Sequence, residues 1–469
     1  MMIPFNNSYV HLPAQMFSRQ SAKPVSDPTL IVTNAPLTAT LGIDPDWITT
    51  PSARDVFAGN AVAGGSEPLA AAYAGHQFGN WNPRLGDGRA LLLGEVLGTD
   101  GLRRDIQLKG SGPTPYSRSG DGRAWLGPVL REYLVSEAMH AMGIPTTRAL
   151  AAVTTGETVQ RERPLPGAII TRVAQSHIRI GTFQLMGARS DIDALSALFD
   201  HVVDRHYPDA DSPAALLLAV TKAQATLIAK WMSVGFVHGV MNTDNVSIAG
   251  ETIDYGPCAF MDGYDAASVF SAIDRQGRYA YQNQPRIAVW NLAQFATSLI
   301  PLMPDQDAAI EEFTTIINSF PTHYEAEWIA AFGAKLGLAD PSEDDRDLIT
   351  DLLALTQQDV ADFTNTFANL ASPNAQYQFT DRDVFGAWSA RWQARGYDAE
   401  IMAAANPVII PRNHQVEAAI VAGTDGDFAP FHALLAAVTQ PFAPVTDATA
   451  AFARAPAMDE RITQTFCGT

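Results

Sequence analysis

The segment FVHGVMNTDNVSI, residues 236–248, places His238 seven residues before Asn245, and Asp254-Tyr255-Gly256 follows shortly after. Asn245 and Asp254 offer hard oxygen atoms of the kind that hold Mg²⁺, with water and phosphate oxygens completing its shell. Asp244 is the only carboxylate between His238 and Asn245. It is placed to take a proton from an attacking hydroxyl, or to brace the loop and the ion's water shell. His238 is expected to hold the loop in shape by hydrogen bonding. Upstream, LGDGRALLLGEV puts Gly86 and Gly88 at a turn before a β-like run. There backbone N–H groups can approach a phosphate, and Arg89 adds charge. Lys109 ends the run DIQLKG, 21 residues after Gly88. A lysine in that place needs a carboxylate to fix its ammonium, and the following helical stretch supplies Glu132 and Glu137. These residue types in this order point to chemistry on a phosphate chain, assisted by a divalent cation.

Such groups must be held by rigid elements. Between 68 and 185, β-like runs (RALLLGEVL, RRDIQLKG, ALAAVTTGETV, GAIITRVA) are separated by Gly/Pro turns and interrupted by one helix, which predicts a sheet-rich lobe over 56–185. In that helix Pro128 suits an early position, Gly143 the end, and Pro145 prevents resumption. A helical wheel sets Glu137 with Leu130, Tyr133 and Leu134 and puts Glu132 nearly opposite, favouring Glu137 as the inward acid. Val135 and Met139 make the helix apolar nearly all round, so both glutamates stay open as partners of Lys109. From 186 to 345 the pattern turns helical, with DIDALSALFDHVVDRHY and then SPAALLLAVTKAQATLIAKWMSVG stopped at Gly235. A hairpin is expected at NVSIAGETIDYG, turning near Ala249-Gly250. Residues 346–469 read as a helical C-terminal extension, and 1–55, with scattered prolines, as an arm laid over the body. The fold class expected is α+β, two-lobed, with terminal extensions.

Bulk composition narrows the partners. The chain has 469 residues, 47% hydrophobic and 17% charged, enough apolar surface to fold throughout. A formal charge of -19 argues against nucleic acid and anionic membrane, so a bound anion must meet a local basic cluster. Two cysteines, no signal-like start and no apolar run near membrane-spanning length suggest a cytoplasmic protein.

The ordered set matches the parts of a protein kinase, except that Val240 stands where a kinase carries its catalytic aspartate. Longer strings carry a more specific likeness: YAGHQFGNWNPRLGDGRALLLGE (73–95), QLKGSGPTPYSRSGDGRA (107–124), LREYLVSEAMHAMGIPTTRAL (130–150), TRVAQSHIRIGTFQ (171–184), HGVMNTDNVSI, DYGPCAFMD (254–262), QGRYAYQNQP (276–285) and NPVIIPRNH (406–414). With these, the chain resembles the selenoprotein O family, kinase-fold protein adenylyltransferases once regarded as pseudokinases. The resemblance implies a protein-kinase-like two-lobed fold and transfer of AMP from ATP, lying reversed relative to a kinase, to Ser, Thr or Tyr hydroxyls of proteins, redox proteins among them. It implies that Gly86, Gly88, Arg89, Lys109, Asp121, Gly122, Arg172, Arg179 and Asp254 bind the nucleotide and that Asp244 accepts the proton. It further implies that Asn245 and Asp254 hold Mg²⁺ or Mn²⁺, and that Glu132 partners Lys109, against the wheel. Pyrophosphate as leaving group needs several cations, and Arg89, Lys109, Arg172 and Arg179 would supply them if they converge. Family members from eukaryotes carry selenocysteine near the C-terminus; a regulatory Cys258–Cys467 disulfide is the corresponding expectation here. Two further readings stand beside transfer of AMP: a phosphotransferase using the γ-phosphate, which the residue at Val240 disfavours, and a nucleotide-binding scaffold without catalysis.

Overall fold

A computed structural model describes residues 2–466. The architecture is α+β, a sheet-rich N-terminal region followed by a helical C-terminal region. Nine strands form one antiparallel sheet: β1 (Phe17–Arg19), β2 (Thr29–Thr33), β3 (Leu69–Gln77), β4 (Asn80–Gly86), β5 (Ala90–Leu97), β6 (Arg103–Lys109), β7 (Ala124–Trp125), β8 (Arg148–Gln160) and β9 (Pro164–Ala174). Their order is β1-β3-β5-β6-β9-β8-β2, with β4 on β3 and β7 on β9. The arm expected over 1–55 does more than cover the body, since β1 and β2 extend the sheet at its two ends. The run TLIVT of β2 has the β-branched composition of a strand, but flanking prolines obscure it in the sequence.

Alternation along the strands sorts side chains to two faces. Ile106 and Leu108 on β6, with Ile169 and Val173 on β9, pack with Leu37, Leu41, Trp47, Val56 and Phe57 of the N-terminal segment, which includes helices α1 (Ala35–Thr40) and α2 (Pro51–Phe57). The intervening Gln107 and Lys109 of β6 and Arg172 of β9 therefore share the opposite face, and Gln107 stands opposite Arg172 in register. That face receives helix α3 (Leu126–Ala141). The outer side of α3 is covered by helices 413–424 and 429–438, whose Val416, Ile420, Phe431 and Leu434 cluster with Leu130, Tyr133 and Leu134. Every residue from Val129 to Met139 is consequently buried.

After β9 come α4 (Ile180–Ala188), α5 (Ile192–His206) and α6 (Pro213–Ser233). Ser212 caps α6 by accepting from Ala215 N, Pro213 opens it, and Gly235 ends it at φ 69°. Strands β10 (Phe236–Val237) and β11 (Ala259–Phe260) then pair around the site loop, and α7 (Gln284–Leu299) supports it from below. The expected hairpin at 245–256 does not form. A turn does close at Ala249-Gly250, Gly250 N donating to Ser247 O, but Ser247 bridges Arg179 and Thr252 bridges Thr146. Each arm finds a backbone partner in a segment remote in sequence, which local pattern does not reveal.

Cys258 is buried, and Cys467 lies outside the described residues. Thr465 donates its hydroxyl to Pro257 O at 2.6 Å, so residue 465 lies beside the residue that follows the Asp-Tyr-Gly triplet. Among the described residues no helix is long and apolar enough to cross a membrane.

Lys335 lies buried with its ammonium over the Phe367 ring, 4.6 Å from the centroid, and no carboxylate pairs with it among the described residues. Burial pushes its pKa down to about 7. Because the folded value lies below the unfolded one, wild-type stability rises as pH climbs from about 7 toward 10.5. Lys335→Met is expected to stabilise the fold by roughly 2–4 kcal/mol below pH 7, the cation–π attraction offsetting part of the gain. Urea titrations should show that advantage shrinking as pH rises; an advantage independent of pH would refute the assignment.

Candidate active site

The loop from His238 to Val246 is held by its own histidine. His238 Nε2 donates to Ile253 O at 2.9 Å, while Val240 N donates to its Nδ1 at 3.3 Å and its backbone N–H reaches Gln284 Oε1 at 3.0 Å. The ring is buried and stacks on Trp231, and burial holds it toward the neutral form. This is the structural role expected from its sequence. Asn245 Nδ2 donates to Val240 O at 3.0 Å, which leaves Asn245 Oδ1 to face another group.

Three cations from separate elements meet at Asp254. Lys109 Nζ lies 2.7 Å from Glu132 Oε2 and 2.9 Å from Asp254 Oδ1. Arg172 Nη1 lies 2.6 Å from Asp254 Oδ1 and 3.1 Å from Glu132 Oε1, with Nε on Gln107 Oε1 at 2.7 Å. Arg179 Nη2 is 3.3 Å from Asp254 Oδ2, and its Nη1 donates to Asp244 O at 3.1 Å. Burial by itself would raise Asp254's pKa; Arg172, Lys109 and Arg179 overcome it and hold the carboxyl well below the usual range. Asp254 adopts φ 60°, a left-handed conformation that costs a non-glycine residue energy and that Asp tolerates better than most.

Glu137 does not reach this cluster. Its oxygens take Arg148 Nε at 2.8 Å, Ala149 N at 2.9 Å and Asn34 Nδ2 at 2.7 Å, tying α3 to β8. The wheel favours it because a wheel presumes one wet face, and α3 has none. The partner the family resemblance implies, Glu132, is the one found beside Lys109.

These groups border a cleft of about 470 Å³. Gly86, Gly88, Arg89, Lys109, Asp121, Gly122, Arg172, Arg179, Asp244, Asn245 and Asp254 all line it, and Glu132 stands just behind Lys109. The glycine turns are shaped by close approach: at Gly86, φ 148°, a Cβ would lie 2.4 Å from the Tyr116 ring, and at Gly122, φ 67°, 2.2 Å from Gly112 O. Asp121 is held by Arg161 Nη1 at 2.9 Å, and that ion pair lowers its pKa.

Residues not singled out in the sequence complete the frame. Asp87, between the two turn glycines, takes Gln107 Nε2 at 3.0 Å and faces Arg179 Nη2 at 3.8 Å. Tyr73 lies under the Arg179 guanidinium, 4.5 Å from the ring centroid. Asp87 was findable from its flanking glycines; Tyr73 and Arg161 carried no signal of their own. Asp244 is buried, and burial pushes its pKa up to about 6 against the opposing pull of Gln77 and Arg179. Among the described residues no group of three or more His, Cys, Asp and Glu could by itself enclose a metal ion. The oxygen donors available to an ion are Asn245 and Asp254. That sparse, hard set fits Mg²⁺ or Mn²⁺, which keep waters and share phosphate oxygens, better than a metal needing a closed protein cage.

The family model described as Protein adenylyltransferase SelO matches residues 1–439. The chain belongs to the SelO family. Among its relatives is the protein nucleotidyltransferase YdiU of Roseobacter denitrificans, 58% identical over 470 residues, with 99% of each chain covered. The protein of the same name from Ruegeria pomeroyi is 56% identical over 471 residues, covering 100% of this chain and 99% of the relative. That of Bradyrhizobium diazoefficiens is 52% identical over 487 residues, covering 99% of each. Membership in a family so described gives the non-catalytic scaffold reading no support.

Proposed function

We propose that this SelO-family enzyme transfers AMP from ATP to Ser, Thr or Tyr hydroxyls of protein substrates, releasing pyrophosphate, on a kinase-like two-lobed scaffold. The observation that carries this reading is the convergence of Lys109, Arg172 and Arg179 on Asp254, in the same cleft as a buried carboxylate, Asp244, whose Oδ1 has no hydrogen-bond partner. Arg172 and Arg179, backed by Gln107, Asp87 and Tyr73, are pre-aimed cations for the β- and γ-phosphates, and forked guanidinium groups suit phosphate oxygens. Lys109, fixed by Glu132, adds a third, and Arg89 with the Gly86, Gly88 and Gly122 backbones lines the same wall. Asp121 flanks this wall and is restrained by Arg161. Asn245 and Asp254 would hold Mg²⁺ or Mn²⁺, which supplies neutralisation of the phosphate charge that develops as pyrophosphate leaves. Asp254 would exchange part of its contact with the cations for that ligation. Asp244 takes the proton of the acceptor hydroxyl. Burial poises it for this role by raising its proton affinity. A base beside Asn245, in place of one at Val240, suits an acceptor approaching the α-phosphorus of a reversed nucleotide.

Paired assays with α- and γ-labelled ATP test the reading. Protein is expected to take up α-label with pyrophosphate released, and no γ-label. Uptake of γ-label alone would overturn it in favour of phosphotransfer.

A further inference from the structure

Three consecutive residues at the end of β3 grip three consecutive residues of the site loop, one hydrogen bond each. His76 N donates to Thr243 Oγ1 at 2.7 Å, Phe78 N to Asn242 Oδ1 at 3.0 Å, and Gln77 Nε2 to Asp244 Oδ2 at 3.0 Å. The outer two use backbone donors and survive any change of side chain on β3. Only the middle one runs from a side chain to the carboxylate. Gly75 makes the approach feasible, since a Cβ there would stand 3.1 Å from both Cβ and Oδ1 of Asp244. The second carboxylate oxygen, Asp244 Oδ1, is buried without a hydrogen-bond partner. The string AGHQFG that contains these residues is conspicuous in the sequence, yet the nucleotide and cation roles leave it unexplained.

We infer that Gln77 is a positioning residue for transfer: by donating to Oδ2 it fixes the rotation of the Asp244 carboxylate, and with it the direction the carboxylate presents to the acceptor hydroxyl. This rests on the reading of Asp244 as base. The terminal torsion of an aspartate is broad and roughly two-fold, so an unanchored carboxylate would present its oxygens over a range of directions. One anchored oxygen removes that freedom before the acceptor arrives. In the step itself the acceptor O–H bond breaks, its proton passes to the Asp244 carboxylate, and the hydroxyl oxygen bonds the α-phosphorus. The bond from that phosphorus to the pyrophosphate oxygen breaks, and its electron pair leaves with pyrophosphate. Gln77 belongs to the sheet and Asp244 to the helical region, so the base is aimed only while the two are docked.

The test uses the full chain with α-labelled ATP and a desalted bacterial extract as acceptor mixture. Gln77→Leu removes the donor, and Gln77→Glu keeps the shape but sets an acceptor against an acceptor. Both are expected to lower the labelling rate at saturating ATP about tenfold or more, as loss of an orienting partner does elsewhere, with the KM for ATP unchanged. Gln77→Leu should add nothing to the loss caused by Asp244→Asn. Wild-type labelling by both Gln77 variants, with Asp244→Asn inactive, overturns the inference and leaves the base in place. Wild-type labelling by Asp244→Asn overturns the underlying reading instead. A fall in rate matched by a higher KM for ATP assigns Gln77 to structure and also overturns the inference.

Discussion

An Asp254→Ala variant is expected to transfer no label from α-labelled ATP and to unfold far more readily than wild type. Asp254 accepts from Lys109, Arg172 and Arg179, and the two arginine side chains are only 2% and 3% exposed. Removing the carboxylate leaves these buried cations sharing Glu132 and the weaker Asp87 contact. Breaking a buried pair by deleting one partner costs roughly 3–5 kcal/mol, because the stranded charge has no water to return to. Asp254→Asn should recover part of the stability, since its oxygen still accepts from the guanidinium groups, and none of the transfer. The pH dependence has a definite sign. With the folded pKa of Asp254 depressed, its contribution is present above the unfolded aspartate value and is lost as pH falls through the lower folded one. Guanidinium-chloride titrations at neutral and acid pH, run beside labelling, check both halves; an Asp254→Ala variant as stable as wild type would refute the buried-cluster account.

Asp244→Asn should cut the transfer rate about 10²–10⁴-fold, the usual worth of a general base, while ATP binding is retained. Its effect on stability runs the other way. Burial raises Asp244 to about 6, so the ionised carboxylate costs folding energy that grows as pH rises from about 4 to 6. Asparagine carries no such charge, and the variant is expected to gain roughly 1–3 kcal/mol at pH 7. Activity gained at the expense of stability is the mark of a group placed for chemistry. In wild type the base works ionised, so transfer should climb about tenfold per pH unit on the acid side and level off above a midpoint no higher than about 6. A cation bound at Asn245 moves that midpoint only downward. A pH–rate profile with its acid midpoint well above 6 would count against Asp244 as the base, as would an Asp244→Asn variant with an undiminished rate.

Much of the site was legible because its parts are short-range. Gly86 and Gly88 bracket a turn whatever surrounds them, alternation on β6 puts Lys109 on one face, and the run from His238 to Asn245 folds on its own histidine. The α3 helix announced both its ends through Pro128, Gly143 and Pro145. Residue type and spacing alone therefore picked out the glycine turn, Lys109, Asp244, Asn245 and Asp254, which the structure brings to one cleft, and the longer strings supplied the family.

Other features depended on contacts between segments far apart in sequence. Which glutamate meets Lys109 was settled by the helices at 413–438, which cover the outer side of α3 and leave a wheel no wet face to work from. The arms of the Ala249-Gly250 turn pair with Arg179 and Thr146 because those segments offer unsatisfied backbone groups nearby, and β1 and β2 join the sheet because its end strands would otherwise expose theirs. The direction of the Asp244 carboxylate is set by Gln77, 167 residues earlier in the chain. Sequence spacing specifies which groups are available; only packing determines which of them touch, since a hydrogen bond is decided by ångströms between elements that share no local register.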